Sequence, residues 1–396
     1  MKQPLRDTHR PRLTPTQNRF RFRLLSILAL LLLGGILPGG KILAAPPEKN
    51  PGTRVQIALL LDTSNSMDGL IDQAKATLWD LVNEFSYVRC RENRVPDLEI
   101  ALYEYGNDGL SPREGFIRQV LPFSSDLDEI SGKLFSLRTN GGEEFCGQVI
   151  QSAVKQLRWS RDARDLKFIF IAGNEPFNQG RTPYESVIRD AAEKDVVVNT
   201  IFCGDYRLGV NTLWADGARL GQGDYTAIDH NRAIVHVATP YDDRIIQLNK
   251  RLNKTYVAYG ALGATRKQTQ GEQDANAAEM EEAVMVERAV SKSSSFYRNE
   301  SWDLVDAYQA RKLNLEELNR KSLPGHLREL DTDRLRDYLE KQQEERAEIQ
   351  EAIRQADARR KAYLAKHQTD SAEGLQGALL EAVRKQARRK AYTWVQ

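Results

Sequence analysis

Short apolar runs alternate with amphipathic stretches between residues 54 and 204 of this chain. Nearly continuous apolar residues occupy positions 55–62, 98–106, 166–173 and 196–204, a pattern typical of strands covered on both faces. Apolar residues recur at helical spacing from 67 to 85, and the same spacing returns at 150–157. This alternation predicts an α/β fold with a doubly wound, mainly parallel sheet over residues 54–262.

The pattern changes near residue 263, where a charged and mainly helical region begins. Residues 301–396 contain 19 Lys/Arg, 17 Asp/Glu and a single proline. Apolar residues from 335 to 363 step by threes and fours, but Gln342, Arg346 and Arg360 interrupt the stripe. This favours a two-helix hairpin or a short coiled coil over a long zipper. We therefore predict a separable helical region at 263–396 and a proteolytic core that ends between residues 258 and 300.

The last helical stretch of the sequence includes a basic run, RKQARRK at 384–390. One interpretation is a solvated helix end whose cations complement the helix dipole. The alternative is a contact with an anionic membrane surface.

The N-terminal segment has the features of a secretory signal. Eight of its first 45 residues are Lys or Arg, and this basic stretch runs into the apolar block 24–37, LLSILALLLLGGIL. Pro38-Gly39-Gly40 and Ala44-Ala45 then supply a helix breaker and small residues. We predict a signal peptide at 1–45 and a linker at 46–53. An uncleaved N-terminal anchor is the alternative, although the block is shorter than a comfortable membrane span.

Export changes the charge of the mature chain. The whole chain has a net charge of +2, but residues 46–396 contain 49 basic and 54 acidic side chains, a net charge of −5. That balance argues against a general nucleic-acid binder. We expect a protein of the Gram-negative periplasm, or one that faces the periplasm from an inner-membrane anchor.

The first apolar run ends in Asp62-Thr63-Ser64-Asn65-Ser66, directly before the first predicted helix. Parallel strands deliver such loops to the carboxyl edge of an open sheet, where ligands bind. The alternating positions turn the oxygens of Asp62, Ser64 and Ser66 toward one point, and Mg²⁺ prefers oxygen ligands. With one carboxylate in the loop, the cation keeps an open position for an outside carboxylate. A helix N-cap loop is the alternative interpretation, since Ser and Asn suit that position.

This Asp-x-Ser-x-Ser element resembles that of the von Willebrand factor type A (VWA) domain and its metal-ion-dependent adhesion site (MIDAS). The resemblance runs from about residue 54 to 260 and includes 214–229, which is similar to the family's final helix, glycine turn and edge strand. The stretch AGNEPF at 172–177 is similar to a subgroup of exported bacterial proteins. The resemblance implies a VWA-like fold that holds Mg²⁺ (or Mn²⁺) at Asp62, Ser64 and Ser66.

The second loop of the family's site usually supplies a Thr, and this chain departs from that pattern. Alignment on the glycines of residues 139–147 (TNGGEEFCG) places Glu144 near the Thr position. Thr139 and Glu143 are the alternatives in the same loop.

The third loop usually supplies an Asp, but this chain has Gly173 at that position. Asn174 and Glu175 follow directly and are further candidates for a contact with the ion. We predict that Glu144 restores the charge that is missing at Gly173, so that the degenerate site still binds metal.

The sequence contains no His-Glu-x-x-His, Gly-x-Ser-x-Gly or Walker-type motif and no paired-cysteine metal spacing. His230 and His236 flank a predicted edge strand, where an ordinary surface role is the favoured interpretation. We therefore expect a protein that is not an enzyme. A metal that polarises a substrate is a third hypothesis, for which the sequence offers no base.

The leading functional hypothesis is an exported binding protein that recognises a protein partner's Asp or Glu through the metal, with the helical region as a docking or oligomerisation element. The alternative is a scaffold protein with a vestigial metal site, whose C-terminal helical region binds the partner. Dependence of partner binding on metal separates the two.

An oxidising compartment permits a disulfide between two of the three cysteines. Cys90 is expected at the amino edge of the sheet, whereas Cys146 and Cys203 are expected near the carboxyl edge. This leaves Cys146–Cys203 as the candidate bridge. The alternative is three buried thiols that act as small hydrophobes.

Overall fold

The strands of this protein form one large sheet and one short two-stranded ribbon. The computed structural model describes residues 53–90, 93–231, 237–367 and 374–394. The strands are β1 (Arg54–Asp62), β2 (Val88–Arg89), β3 (Asp97–Tyr105), β4 (Ile117–Ser124), β5 (Leu166–Gly173), β6 (Val197–Cys203), β7 (Gln222–Ile228) and β8 (Thr393–Trp394). The large sheet has the order β4-β3-β1-β5-β6-β7, and its neighbours are parallel except for the antiparallel pair β3–β4.

Helices cover both faces of this sheet. They are α1 (Asp68–Ser86), α2 (Leu127–Phe135), α3 (Cys146–Gln156), α4 (Tyr184–Glu193), α5 (Tyr206–Asn211), α6 (Trp214–Leu220), α7 (Asp242–Lys254), α8 (Gly263–Met280), α9 (Glu282–Lys292), α10 (Leu304–Gln309), α11 (Gly325–Arg328), α12 (Thr332–His367) and α13 (Leu375–Arg389). The apolar residues of α3, α4 and α6 form a core on one face, and those of α1, α2, α7, α9, α12 and α13 form a core on the other.

The predicted fold class is confirmed. All four apolar runs are strands of the sheet, and they are buried on both faces because helices lie above and below them. The predicted final helix, glycine turn and edge strand correspond to α6, Gly221 and β7. The sequence analysis missed β4, an antiparallel edge strand in which the exposed Arg118, Gln119 and Pro122 interrupt the apolar residues.

The described residues belong to one compact unit, in which the predicted helical region at 263–396 packs on the sheet domain. Helix α13 packs on α1 and over β6 and β7, so that Leu375 and Leu379 lie against Phe170 and Ile201. Helix α12 packs mainly on α7 and α10 instead of forming the predicted hairpin with α13. The apolar face of these helices is therefore buried against the sheet domain.

Two arginines that interrupt the apolar stripe of α12 are buried. Arg346 donates to Asp303 at 2.6 Å and to Asp306 at 2.5 Å, and it is 4% exposed. Arg360 is 3% exposed and pairs with Asp242 at 2.9 Å and Glu287 at 2.5 Å. The interruptions are thus ion pairs between α12 and the elements beneath it.

Neither predicted interpretation fully describes the basic run 384–390. Three of its cations pair with acids of the sheet domain. Arg384 contacts Glu84 at 2.6 Å, Lys385 contacts Asp224, and Lys390 contacts Asp195 at 2.5 Å. These pairs are partly exposed and contribute little each, but they set the register of α13 on the domain.

The candidate disulfide is not formed, and all three cysteines are buried free thiols. Cys203 belongs to the core on the α1 face and Cys146 to the core on the α3 face, so that the sheet itself lies between them. The sequence analysis placed both near one edge but overlooked that alternate strand positions point to opposite faces. Burial raises the pKa of both thiols, which keeps them protonated.

The predicted signal peptide and almost the whole predicted linker lie outside the described residues. Within the part of the chain that is described, no helix is both long and apolar enough to cross a membrane.

Candidate metal centre

The candidate site lies at the carboxyl edge of the sheet, where three central strands end side by side. Strand β1 runs between β3 and β5, and Asp62 at its end is aligned with Tyr105 of β3. Leu61 is aligned with Ala172, so that Gly173 ends β5 beside Asp62. These apolar strands are buried along nearly their full length. Asp62 is the last residue of β1, so it is buried as well.

The loop after β1 turns tightly over Asp62. Asp62 Oδ1 accepts a hydrogen bond from the Ser64 N–H at 2.7 Å, and the Met67 N–H donates to the Ser64 carbonyl at 3.0 Å. Asp62 and Ser64 are buried, whereas Ser66 lies exposed at the rim. The turn then leads directly into α1, so the three motif side chains are held on one short segment.

Glu144 reaches the same point from the loop before α3 and is also buried. A Cβ at Gly106 would lie 2.6 Å from Glu144 Cγ and 2.9 Å from Asp62 Oδ1. Gly106 has a φ of 78°, and its missing side chain leaves the space in which the two carboxylates approach each other. The structure thus places Glu144 with Asp62 and Ser64.

Three buried oxygens of this group have no hydrogen-bond partner among the described residues: Asp62 Oδ2, Ser64 Oγ and Glu144 Oε2. An unsatisfied buried polar atom costs about 1–3 kcal/mol, and most such atoms in folded proteins are paired. All three oxygens can accept a hydrogen bond or coordinate a metal ion. Together they form a set of potential metal ligands.

The two carboxylates shift each other's pKa in opposite directions: Asp62 raises the pKa of Glu144, whereas the hydrogen bond from Glu144 lowers the pKa of Asp62. Burial, followed by the negative charge of Asp62, raises the pKa of Glu144 to about 9. Burial likewise raises the pKa of Asp62. Two buried carboxylates with raised pKa values indicate a site that lacks positive charge from the protein.

The position of Tyr105 explains why residue 173 is a glycine, where the resemblance to the VWA domain implies an Asp. A Cβ at this position would overlap the hydroxyl oxygen of Tyr105 and would lie 3.1 Å from Asp62 Oδ2. The buried Tyr105 hydroxyl donates to the Ala172 carbonyl at 2.9 Å, so it cannot easily move away. Tyr105 therefore occupies the space that a third-loop side chain would need.

The four less certain residues are placed differently. Asn174 lies at the site, where its Nδ2 donates to Ser66 Oγ at 3.2 Å. Glu175 is exposed, and its charge contributes to the raised pKa of Glu144. Thr139 donates to Asp68 instead, and Glu143 is exposed.

His230 is a residue at this site that the sequence analysis missed. Its Nε2 lies 3.0 Å from the Ser66 carbonyl oxygen, although it was predicted to have an ordinary surface role. The available signal was topological: His230 directly follows β7, a parallel strand that ends at the same edge as β1.

The donor set fits a hard divalent cation. Within the described ranges no group of three or more His, Cys, Asp or Glu side chains is arranged to hold a metal ion. The site instead combines two carboxylates with serine hydroxyls, and Mg²⁺ characteristically takes one or two carboxylates and completes its shell with other oxygens. When the ion displaces the proton of Glu144, Asp62 and Glu144 supply two negative charges, enough to balance one such ion.

Comparisons with known proteins give weak structural similarities only. No family model matches the chain, and no curated protein matches its sequence. Proximal thread matrix protein 1 from the mussel byssus, in a structure with a zinc-occupied MIDAS motif, has a TM-score of 0.34 at 15% identity over 44% of this chain and 42% of its own. BatB from Bacteroides thetaiotaomicron has a TM-score of 0.34 at 18% identity, over 44% of this chain and 90% of its own.

An aerotolerance-related membrane protein from Bacteroides fragilis has a TM-score of 0.32 at 16% identity, over 44% of this chain and 92% of its own. The chain spans about two fifths of the length of the mussel protein. Likenesses this low carry no argument about function, so the interpretation of the site depends on its own geometry.

Proposed function

We propose that this chain is an exported binding protein that holds Mg²⁺ or Mn²⁺ at Asp62, Ser64, Ser66 and Glu144 and uses the ion to recognise a protein partner. A bound ion of this kind supplies an open coordination position for a carboxylate of the partner. The protein's own residues hold the ion at the sheet edge, and Ser66 at the exposed rim marks the side from which a partner approaches.

One observation carries the proposal: two buried carboxylates converge with a serine hydroxyl, and an oxygen of each residue lacks a partner from the chain. A divalent ion would satisfy these atoms and would offset the burial and the negative charge of Asp62, which together raise the pKa of Glu144. The VWA-like motif at Asp62–Ser66 supports the same interpretation, with Glu144 in place of the family's Thr.

The surface around the site supports a protein as the partner. Three of the four large apolar side chains exposed among the described residues lie on α5: Tyr206 at 59%, Leu208 at 52% and Val210 at 42%. Helix α5 follows β6, the strand next to β5, so it lies at the same edge of the sheet as the Asp62–Ser66 loop, called the metal loop below. The Phe177 N–H donates to the Thr212 carbonyl at 2.9 Å, which joins the end of α5 to the third loop. Exposed apolar side chains beside a polar centre are typical of protein-binding surfaces.

The alternative function, a scaffold whose C-terminal helices bind the partner, has less support. Helices α12 and α13 bury their apolar residues and several arginines against the rest of the chain. Little apolar surface of these helices is left for a partner.

Titration calorimetry of the whole protein with Mg²⁺ and Mn²⁺ tests the proposal. We expect binding by the wild type, loss of binding in Asp62→Ala, and unchanged binding in Asp97→Ala, an exposed aspartate at the opposite edge of the sheet. Asp62→Ala should leave the fold intact, because it removes a buried carboxylate that has no positive partner nearby. Absence of binding by the wild type at millimolar concentrations would mean that the site is vestigial.

Partner binding offers a second distinction. If the ion mediates recognition, a chelator and Asp62→Ala should both abolish capture of an acidic partner. Capture that persists in the presence of the chelator would favour the scaffold function.

A further inference from the structure

Ser66 is the only one of the four predicted ligands that lies exposed at the rim, so its geometry depends on what holds it. Two side chains from distant loops contact this one residue. Asn174, after β5, donates its Nδ2 to Ser66 Oγ at 3.2 Å. His230, after β7, places Nε2 3.0 Å from the Ser66 carbonyl oxygen. Donation to this carbonyl requires the imidazole proton on Nε2, and Asn231 Nδ2, which lies 3.1 Å from the same nitrogen, then contacts it without donating to it.

His230 is itself fixed by helix α1. Gln73 donates its Nε2 to the carbonyl oxygens of Asp229 and His230, each at 3.0 Å. A Cβ at Gly69 would overlap the His230 carbonyl, which shows how closely α1 and this turn approach each other. Gln73 is buried, so the turn that carries His230 has a rigid support.

The same glutamine also reaches the C-terminal helix. Gln73 Oε1 accepts a hydrogen bond from the N–H of Leu375, the first residue of α13, at 3.1 Å. A continuous set of hydrogen bonds therefore leads from the metal loop through His230 and Gln73 to α13.

We propose that His230 is a positioning residue for the metal ion, and that Gln73 holds it in place. This inference rests on the proposed function, since it assumes that Ser66 binds a divalent ion. His230 does not contact the ion in this proposal. It fixes the Ser66 carbonyl, and the orientation of the Ser66 hydroxyl follows from that of its backbone. Residues that orient metal ligands through hydrogen bonds typically contribute about 10–100-fold to metal affinity.

Calorimetric titration of the whole protein with Mn²⁺ tests the role of His230. We expect His230→Ala to weaken binding about tenfold. His230→Gln should largely restore it, because the glutamine amide can donate to the Ser66 carbonyl. His326→Ala, an exposed histidine on α11, is the matched control and should bind like the wild type.

A second variant separates the hydrogen bond from the packing of the ring. Gln73→Glu keeps an acceptor for the Leu375 N–H but has no N–H for the Asp229 and His230 carbonyls, so we expect weaker Mn²⁺ binding with His230 still present. This variant also carries the test if His230→Ala fails to fold, which a melting curve of the metal-free protein reveals.

The outcomes are distinct. Equal affinities of the wild type, His230→Ala and Gln73→Glu would overturn the role of His230 and leave the proposed function standing. Equally weak Mn²⁺ binding by His230→Ala and His230→Gln would also overturn it, because the packing of the imidazole ring, and not its hydrogen bond, would then determine the affinity. Absence of Mn²⁺ binding by the wild type would contradict the proposed function and this inference together.

Discussion

Two regions of this protein that contain buried charges treat them in opposite ways. Under α12, the buried arginines Arg346 and Arg360 each contact at least two acids. At the carboxyl edge, by contrast, no Lys or Arg among the described residues pairs with the carboxylates of Asp62 and Glu144. Both regions are equally removed from solvent, so the difference is not one of exposure.

The comparison separates structural from functional burial. A buried charge is costly unless it is paired, and the chain meets that cost under α12 with its own residues. At the sheet edge the cost remains, and a folded protein tolerates such a centre where a ligand can relieve it. The unpaired region is therefore the functional candidate, and the paired region is the one that joins the helices to the sheet.

The largest loss of stability is expected when the paired region, the ion pairs of Arg346 and Arg360 under α12, is removed altogether. A fragment that ends at residue 300 lacks α12 and α13, uncovers the sheet face beneath Leu375 and Leu379, and leaves Asp242 and Glu287 without Arg360. Burial of Leu375, Leu379 and Val383 alone stabilises the fold by about 5 kcal/mol, comparable with the total stability of many domains. We expect no cooperative thermal unfolding of this fragment by circular dichroism.

The matched control is the fragment 53–394, which should unfold cooperatively and resist limited proteolysis as one unit. A cooperative transition in the fragment ending at 300 would instead support the separable region that the sequence composition predicted.

A single substitution in the paired region should have the next largest effect. Arg346→Ala leaves the carboxylates of Asp303 and Asp306 buried without their common partner. Breaking a buried ion pair in this way typically costs about 3–5 kcal/mol. Urea denaturation measures the loss. Arg334→Ala, on the same helix but in an exposed pair with Asp331 at 3.6 Å, should cost at most about 1 kcal/mol.

These arginines show what the sequence could not predict. The strands were predictable because local apolar runs determine them, and the Asp62–Ser66 loop because its candidate ligands lie within five residues. The acidic partners of Arg346 and Arg360, however, lie as far as 43 and 118 residues away in the chain. A polar residue in an apolar stripe therefore looked like an interruption until its partners were placed.

The site was predictable to a similar limit. Glu144 followed from the glycines in its loop, whereas His230 contacts a residue 164 positions away and had no local signal. The role of Tyr105 was also hidden, because its hydroxyl reaches the neighbouring strand at Ala172 only after the sheet has formed. Long-range contacts between strand ends thus decide the details of this site.

Restoring the family's third-loop residue should be harmful here. In Gly173→Asp the new side chain overlaps the Tyr105 hydroxyl and places a third carboxylate beside Asp62. Overpacking of this kind costs about 1–3 kcal/mol, and we expect a loss near 3 kcal/mol by urea denaturation of the metal-free protein.

Tyr105→Phe removes the overlapping oxygen and provides the control. The double variant Gly173→Asp, Tyr105→Phe should recover part of the lost stability and should bind Mn²⁺ more tightly than Tyr105→Phe alone. If Gly173→Asp is as stable as the wild type, then Tyr105 does not account for the glycine.

The smallest effect concerns Asp306, a carboxylate of the paired region that shares its arginine with a second acid. Arg346 faces two acids, and burial raises the pKa of Asp306 from 3.8 to about 6, with the charge of Asp303 acting in the same direction. An acid whose pKa is higher in the folded state binds its proton more tightly there, so the free energy of unfolding falls as the pH rises from about 4 through 6.

Asp306→Asn mimics the protonated form and lacks this loss. Between pH 4.5 and 6 we therefore expect its stability to rise relative to the wild type by roughly 1.5 kcal/mol, as measured by urea denaturation. Asp337→Asn, an exposed aspartate on α12, provides the baseline. A difference between wild type and Asp306→Asn that stays constant with pH would show that Arg346 satisfies both carboxylates, and the contrast with the unpaired acids of the sheet edge would then be complete.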